Sequence, residues 1–312
     1  MHVIIVNDFG HVQGGASKVA LQSAVGLKAA GCRVTLLTAV QPIMPQLEGV
    51  DVICTDQHEL IADPNKLRAA GQGIWNWKAG SIARDLFAGV SPADTVVHVH
   101  GWTKSLSSSV VRAAWARNLK IVCTMHDYFL ACPNGGFFDY QQNTICKLKP
   151  LSTACCLRHC DSRSYAQKLW RVVRQATQQS AGGMPGRIKH FIAVSDFSKA
   201  ILKEYLPSKS QIHSVDNPVD VQMAVPVEAA SNSQFVAVGR LTPEKGPLLL
   251  AWAAREAGVP VTFVGEGPLR DEISRINPKA RITGWVDSAQ VASEMRQARA
   301  LVLPSIWYET QG

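Results

Sequence analysis

The chain has 312 residues, and its 46% hydrophobic and 18% charged residues are ordinary globular composition, which excludes a disordered protein. Chains of this length usually form two domains of about 100–200 residues each. The longest apolar runs fall short of the ~20 residues of a transmembrane helix, and the N-terminal run has no basic leader, so we expect a cytoplasmic protein. The net charge of +8 favours anionic ligands, but without a recognisable nucleic-acid module we expect no nucleic-acid partner.

Short segments rich in Val and Ile alternate with helical segments along the first part of the chain. This alternation is typical of a parallel sheet covered by helices on both faces. The predicted strands are residues 2–6, 33–39, 51–54, 95–99, 120–125 and 190–194. The predicted helices lie near residues 16–30, 64–89, 104–118 and 163–179.

A second round of alternation begins near residue 233, after an aperiodic, proline-containing segment that we interpret as a linker. Its predicted strands are residues 235–239, 261–265, 281–283 and 300–304, and its predicted helices lie near 245–258, 269–276 and 287–299. The sequence therefore predicts an α/β protein with two doubly wound, Rossmann-like domains facing each other across a cleft. We place the domains at residues 1–217 and 218–312 and expect the second one to be incomplete.

A glycine pair, Gly14 and Gly15, lies between the first predicted strand and the first predicted helix. Ligands of open α/β sheets bind at the carboxyl ends of strands, and glycines there let backbone N–H groups approach an anion. The loop lacks the G-x-G-x-x-G spacing of dinucleotide-binding folds and the G-x-x-x-x-G-K-[ST] spacing of P-loops. We expect a phosphate-facing loop of another kind, with a flexible turn as the alternative.

The first loop of the second domain combines glycine with two cations. Its predicted strand ends at Gly239, and Arg240 and Lys245 then flank a turn that starts a helix. Arginine offers a planar fork of donors and lysine a point charge, so together with a helix N-terminus they suit a diphosphate. The alternative is a solvated basic turn.

At these residues the chain resembles the retaining glycosyltransferases of the GT-B fold, specifically glycosyltransferase family 4. Three further strings carry the resemblance: residues 264–268 resemble the V-G-x-G-P element, residues 284–286 the segment whose backbone holds the nucleobase, and residues 304–312 the start of the E-x7-E motif. The second glutamate of that motif would fall beyond Gly312. The resemblance covers essentially the whole chain.

The resemblance implies a role for each matched residue. Arg240 and Lys245 would neutralise the departing diphosphate, and Glu309 would hydrogen-bond the transferred sugar. His126 ends a predicted strand and matches the histidine that lies near the transferred sugar in the family. The donor-binding residues implied by the resemblance are Gly14, Gly15, Gly239, Gly265, Trp285, Val286 and Gly312.

The implied reaction is transfer of a hexose from a UDP- or GDP-linked donor to a saccharide or lipid-linked acceptor, with retention of configuration. Such a reaction would serve the synthesis of a cell-surface polysaccharide or glycolipid. The sequence has no D-x-D, so we expect metal-independent catalysis that requires no cofactor. Two alternatives stay open: a nucleotide-sugar hydrolase or epimerase on the same fold, and a non-catalytic remnant that binds a sugar or a partner.

Five of the eight cysteines lie between positions 132 and 160, in a predicted loop at 128–162. A cytoplasmic location argues against disulfides. Four thiolates can hold a structural zinc, and the predicted ligands are Cys132, Cys146 and Cys160 with either Cys155 or Cys156, of which we choose Cys156. An iron–sulfur cluster and a loop of reduced cysteines are the alternatives.

Two stretches, 64–89 and 161–190, combine basic residues with tryptophan or a strong positive excess. Such stretches suit an anionic membrane surface, so we consider peripheral contact with the inner membrane face. The alternative is a solvated helix face with buried aromatics.

Overall fold

A computed structural model describes residues 1–219 and 223–311 and consists of parallel strands joined by helices. The strands are β1 (His2–Val6), β2 (Arg33–Thr38), β3 (Asp51–Cys54), β4 (Thr95–Val99), β5 (Lys120–Met125), β6 (Phe138–Asp139), β7 (Thr144–Ile145), β8 (His190–Ala193), β9 (Gln211–Ser214), β10 (Phe235–Val238), β11 (Val261–Val264), β12 (Arg281–Ile282) and β13 (Ala300–Leu301). The helices are α1 (Gly15–Ala29), α2 (Lys66–Ile74), α3 (Trp77–Ala88), α4 (Ser109–Ala116), α5 (Thr153–Leu157), α6 (Tyr165–Ser180), α7 (Asp196–Leu202), α8 (Pro247–Glu256), α9 (Arg270–Ile276) and α10 (Ser288–Arg296).

Two parallel sheets organise the molecule. The larger sheet has the order β3-β2-β1-β4-β5-β8-β9, and the smaller one has the order β12-β11-β10-β13. A short antiparallel pair, β6 and β7, stands apart from both. The prediction of an α/β protein with two doubly wound domains, the second of them smaller, is confirmed.

The central strand β1 is buried on both faces, as parallel sheets require. Ile4 and Val6 pack into the core on one face of the larger sheet, while Val3 and Ile5 pack into the core on the other. Successive side chains of a strand point to opposite faces, so an uninterrupted apolar run fills both layers. This strand is therefore held rigidly, and so is the start of the loop that follows it.

The helical stretch predicted at 64–89 is two helices, α2 and α3, which meet at Trp75 and Asn76. The Asn76 side chain accepts a hydrogen bond from the Ala79 backbone N–H at 3.0 Å and so caps α3. Within the described residues, every helix is too short or too polar to cross a membrane.

Each sheet has one position where the order of its strands reverses. In the larger sheet β1 lies between β2 and β4, and in the smaller sheet β10 lies between β11 and β13. Open α/β sheets bind ligands at the carboxyl ends of the strands at such a position. The loops after β1, β4, β10 and β13 are therefore where this fold places a ligand.

Candidate active site

Two glycines bring the loops of the smaller domain into close contact. Gly246 has a φ of +66°, and a Cβ added there would lie 2.1 Å from the Pro304 carbonyl oxygen. A Cβ added at Gly265 would lie 2.0 Å from the Gly239 carbonyl oxygen. Only glycine allows these approaches, and the first one presses the loop after β13 against the loop after β10.

As a result, Lys245 and Glu309 face each other across the two loops. Lys245 Nζ lies 2.6 Å from Glu309 Oε1, which also accepts a hydrogen bond from Ser305 Oγ at 2.6 Å. Partial burial alone would raise the pKa of Glu309, but these two hydrogen bonds lower it below its ordinary value. Glu309 is therefore a carboxylate at neutral pH, and it is paired with the lysine.

Arg240 is held by a neighbouring acid but remains open to solvent. Its Nη2 lies 3.3 Å from Oε1 of the buried Glu244, which also accepts a hydrogen bond from Thr242 Oγ1 at 2.8 Å. Arg240, Lys245 and Glu309 line one cavity of about 150 Å³ at the strand-order reversal of the smaller sheet. Its lining is completed by Ala237, Val238, Gly239, Leu241, Pro247, Phe263, Leu303, Pro304, Ser305 and Gln311.

The loop after β13 also contacts the first domain. Thr310 Oγ1 donates to the His126 carbonyl oxygen at 3.0 Å, and Tyr128 Oη donates to the Glu309 carbonyl oxygen at 3.4 Å. The Tyr308 ring packs edge-on against Phe197, with centroids 5.5 Å apart. The predicted sugar-side residues His126 and Glu309 thus lie on loops that touch.

His126 belongs to a row of three histidines at the carboxyl ends of β4 and β5. Its Nε2 is hydrogen-bonded to His100 Nδ1 at 3.0 Å, and the His100 ring lies 4.1 Å from the His98 ring. Burial lowers the pKa of both His98 and His126 to about 4, and it lowers the pKa of His100 well below its ordinary value. The imidazoles are therefore neutral at physiological pH, and His126 offers a hydrogen bond but no charge.

Sequence reasoning did not identify His98, His100 or Asp127 as site residues. Burial raises the pKa of Asp127 to about 6, which places it near the titration range of a proton-transfer group. The signal that could have found them was the carboxyl end of β4, where two histidines alternate with Val99.

Gly14 and Gly15 form the start of α1 and are exposed. A Cβ added at either position would meet no heavy atom within 4 Å, so the backbone here is open to a ligand. The structure thus leaves the loop accessible without bringing it against the cavity. Its contact with donor phosphates stays a prediction.

The segment that the resemblance implies for the nucleobase, residues 284–286, lies next to the end of β11, a strand that lines the cavity. Gly265 pairs with Gly284 through an isolated bridge, and Val286 packs into the smaller core, whereas the Trp285 side chain is 77% exposed. Of the donor-binding residues implied by the resemblance, only Gly239 is among the described residues that line the cavity. Gly312 lies outside the described residues.

The cysteine loop surrounds a buried lysine. Lys168 is 1% exposed, and its Nζ donates to Cys155 Sγ at 3.5 Å, while Asn134 Nδ2 donates to Cys160 Sγ at 3.2 Å. Cys156 Sγ instead donates to the Leu151 carbonyl oxygen at 3.8 Å. The geometry therefore favours Cys155 over Cys156 as a companion of Cys160.

The metal prediction for this loop, with Cys132, Cys146, Cys156 and Cys160 as ligands, stays a prediction. In the part of the chain that the structure describes, no three His, Cys, Asp or Glu side chains are arranged to hold a metal ion. All eight cysteines are free thiols.

Comparison with known proteins assigns both halves of the chain to families. A family model described as Glycosyltransferase Family 4 matches residues 13–223, and one described as Glycosyl transferases group 1 matches residues 232–312. The first of these matches covers more than half of the chain. A search of curated proteins finds no match.

Solved structures share the fold across nearly the whole chain. A glycosyltransferase from Rickettsia africae has a TM-score of 0.59 at 15% identity, with 98% of this chain and 73% of that one covered. Anabaena HepE in complex with UDP and glucose has a TM-score of 0.56 at 13% identity, with 97% and 74% covered. A variant of S. aureus TarM in complex with fondaparinux, α-GlcNAc-glycerol and UDP has a TM-score of 0.57 at 9% identity, with 100% and 82% covered. At these identities the likeness establishes the fold alone.

Proposed function

Because this chain belongs to glycosyltransferase family 4, we propose that it transfers a hexose from a nucleotide diphosphate sugar to a saccharide or lipid-linked acceptor, with retention of configuration. The observation that carries the proposal is the cavity in which Arg240, Lys245 and Glu309 converge. It lies where the strand order of the smaller sheet reverses, which is the ligand position of such folds.

The two cations suit the leaving group. As the bond between sugar and phosphate breaks, negative charge develops on the departing diphosphate. Arg240 is exposed but oriented by Glu244, and Lys245 is half-buried beside it, so both are in place before the reaction begins. One preorganised group of this kind typically contributes about 3–4 kcal/mol to lowering the barrier.

Glu309 suits the sugar. Its carboxylate can accept two hydroxyl hydrogen bonds of a hexose, but in this structure Lys245 and Ser305 occupy one of its oxygens. A donor diphosphate competes for Lys245, and the carboxylate then becomes free to bind the hexose. Neutral His126, on the touching loop of the first domain, would hydrogen-bond the same sugar from the other side of the cleft.

Two of the similar structures were solved with UDP, one of them also with glucose. These ligands favour a UDP-linked hexose over a GDP-linked one for this chain. The retaining stereochemistry, the acceptor and a role in cell-surface polysaccharide or glycolipid synthesis follow the family resemblance.

Calorimetric titration with UDP and GDP tests the donor site. We expect UDP to bind, and Lys245→Ala to weaken its binding about tenfold to a hundredfold, because a hydrogen bond to a charged group contributes about 1.5–3 kcal/mol. Lys279→Ala, at an exposed lysine of the same domain, is the matched control and should bind normally. Equal affinity in wild type and Lys245→Ala would refute the assigned role.

Product analysis with UDP-hexoses separates the proposal from its alternatives. A transferase couples loss of UDP-hexose to glycosylation of an added saccharide or lipid-linked acceptor. A hydrolase would release free hexose in an amount that an added acceptor does not reduce. An epimerase would invert the configuration at one carbon of the sugar. A folded chain that binds neither UDP nor GDP would be a non-catalytic remnant.

A further inference from the structure

The cavity lined by Arg240, Lys245 and Glu309 is called the donor cavity below. A second pocket, separate from it, lies on the first domain and has a volume of about 500 Å³. This volume is within the range of about 300–1,000 Å³ that is typical of small-molecule sites. The described residues that line it include none that line the donor cavity. Among them are Trp75, Arg112, Trp115, Gly183 and Arg187.

Two guanidinium groups lie in this pocket against one indole. The Arg112 guanidinium lies 3.9 Å from the centroid of the Trp115 ring, and the Arg187 guanidinium lies 5.0 Å from it. Both arginines are exposed, and neither forms a salt bridge with a carboxylate among residues 1–219 and 223–311. Two neighbouring cations without a counter-charge attract an anion.

The chain holds this arrangement in place. Trp115 Nε1 donates to the Gly182 carbonyl oxygen at 3.0 Å, which fixes the indole. Gly183 has a φ of +73°, and a Cβ there would lie 2.8 Å from both Trp115 Nε1 and Arg187 Cγ. A side chain at position 183 would push the indole and the arginine apart, so the glycine allows both to line the pocket.

The hydrogen-bond donors of this pocket indicate which class of ligand it binds. A single carboxylate has two oxygens, which one guanidinium fork can satisfy, whereas a phosphate monoester offers three oxygens and about two charges. Trp75, half-buried at the same pocket, presents an aromatic surface on which the apolar face of a pyranose can pack. We propose that the pocket of Arg112, Arg187, Trp75 and Trp115 binds a sugar phosphate.

Titration of the 312-residue chain with glucose 1-phosphate, in the presence of saturating UDP to fill the donor cavity, tests the proposal. We expect one saturable site, and we expect the double variant Arg112→Gln/Arg187→Gln to lose affinity by at least about tenfold. Arg117→Gln, which removes one positive charge from an exposed residue just after α4, should bind as wild type does. No saturable binding at millimolar concentration, or full affinity in the double variant, would overturn the proposal.

A second pair of variants tests the sugar part. Trp75→Leu should weaken glucose 1-phosphate binding and leave the weaker binding of inorganic phosphate unchanged, while Trp252→Leu, at an exposed tryptophan outside the pocket, should change neither. Equal affinity for both probes, with no effect of Trp75→Leu, would indicate a bare anion site and refute a sugar ligand. Arginine-dependent binding to phosphatidylglycerol vesicles without binding of the soluble probe would assign the pocket to a lipid surface and also refute the proposal.

Discussion

Glu309 is the carboxylate that we propose binds the transferred sugar. Its carboxylate pairs with Lys245, and the pair lines the cavity. We expect Glu309→Gln to keep UDP affinity within a few-fold of wild type, because the lysine remains, and to reduce the rate of transfer by on the order of a hundredfold. Steady-state transfer kinetics with UDP titration measures both, with Glu256→Gln at an exposed glutamate as control. Loss of UDP affinity without loss of turnover would contradict this division.

The buried histidines make stability depend on pH. Burial lowers the pKa of His98 to about 4, below the ~6.5 of an unfolded histidine. As the pH falls from about 6.5 to 4, the unfolded chain binds a proton that the native chain does not, so the folded state loses up to about 3 kcal/mol from this residue. Asp127, whose pKa is raised to about 6, acts in the opposite direction over part of this range.

The measurement is therefore a comparison between variants. We expect the free energy of unfolding of His98→Gln to decrease less than that of wild type between pH 6.5 and 4, since glutamine can still hydrogen-bond Thr124 Oγ1. His213→Gln, at an exposed histidine, should follow wild type. Parallel pH profiles for wild type and His98→Gln would show that the imidazole titrates normally.

At the residue scale, the sequence was most informative where a role requires a particular residue type at a strand end. Arg240 and Lys245 were predicted from the loop that follows a strand, and Glu309 from the family resemblance, and the structure brings all three to one cavity. His100 follows a predicted strand, but its contact with His126 depends on the order of β4 and β5 in the sheet. The sequence does not state that order.

At the scale of elements, the break between α2 and α3 depends on one buried side chain. Asn76 caps α3, and its Nδ2 donates to the Ser105 carbonyl oxygen at 2.7 Å. We expect Asn76→Ala to destabilise the first domain by about 2–4 kcal/mol, because it leaves buried backbone groups unpaired. Asn65→Ala removes the exposed cap of α2 and should cost only about 1 kcal/mol. Urea unfolding followed by circular dichroism measures both, and equal losses would argue against the buried network.

The sequence predicted strands of both parallel sheets, from the five- and six-residue strands of the larger sheet to the two-residue strands β12 and β13. β1, β2 and β5 have five or six residues each and an apolar pattern strong enough to be recognised. The pair β6 and β7, with two residues in each strand, lies in the cysteine loop, where no alternation of strands and helices indicates a strand. α2 and α3 were joined in the prediction because the apolar spacing runs through the break.

At the scale of the whole molecule, Tyr308 links the two domains. It contacts Phe197 and Tyr128 of the first domain. We expect Tyr308→Ala to raise the ratio of UDP-hexose hydrolysis to transfer several-fold, because a loosened contact lets water reach the cleft. Trp252→Ala, at an exposed aromatic residue of α8, is the control. An unchanged ratio would show that this contact does not exclude water.

The tertiary structure also shows where the positive charges of residues 161–190 lie. Lys168 and Arg174 lie in a stretch that we considered a membrane-facing surface, yet both are buried, and Arg174 donates to carbonyl oxygens of the loops at 103 and 133. A long cationic side chain can cross a packed interior to reach carbonyl groups, and only tertiary contacts reveal this. Part of the positive charge in this stretch therefore organises the first domain internally.

The Lys245–Glu309 pair has a consequence for which molecules the cavity retains. Before a donor binds, the Lys245 ammonium and the Glu309 carboxylate neutralise each other. A small anion can bind Lys245 only by displacing the carboxylate, and a neutral sugar can bind Glu309 only by displacing the ammonium. In the mechanism that we propose, an intact nucleotide sugar replaces both partners at once, whereas the nucleotide diphosphate left after transfer replaces only one. We therefore expect re-formation of the Lys245–Glu309 ion pair to favour release of the nucleotide product, which leaves the cavity able to bind a new donor.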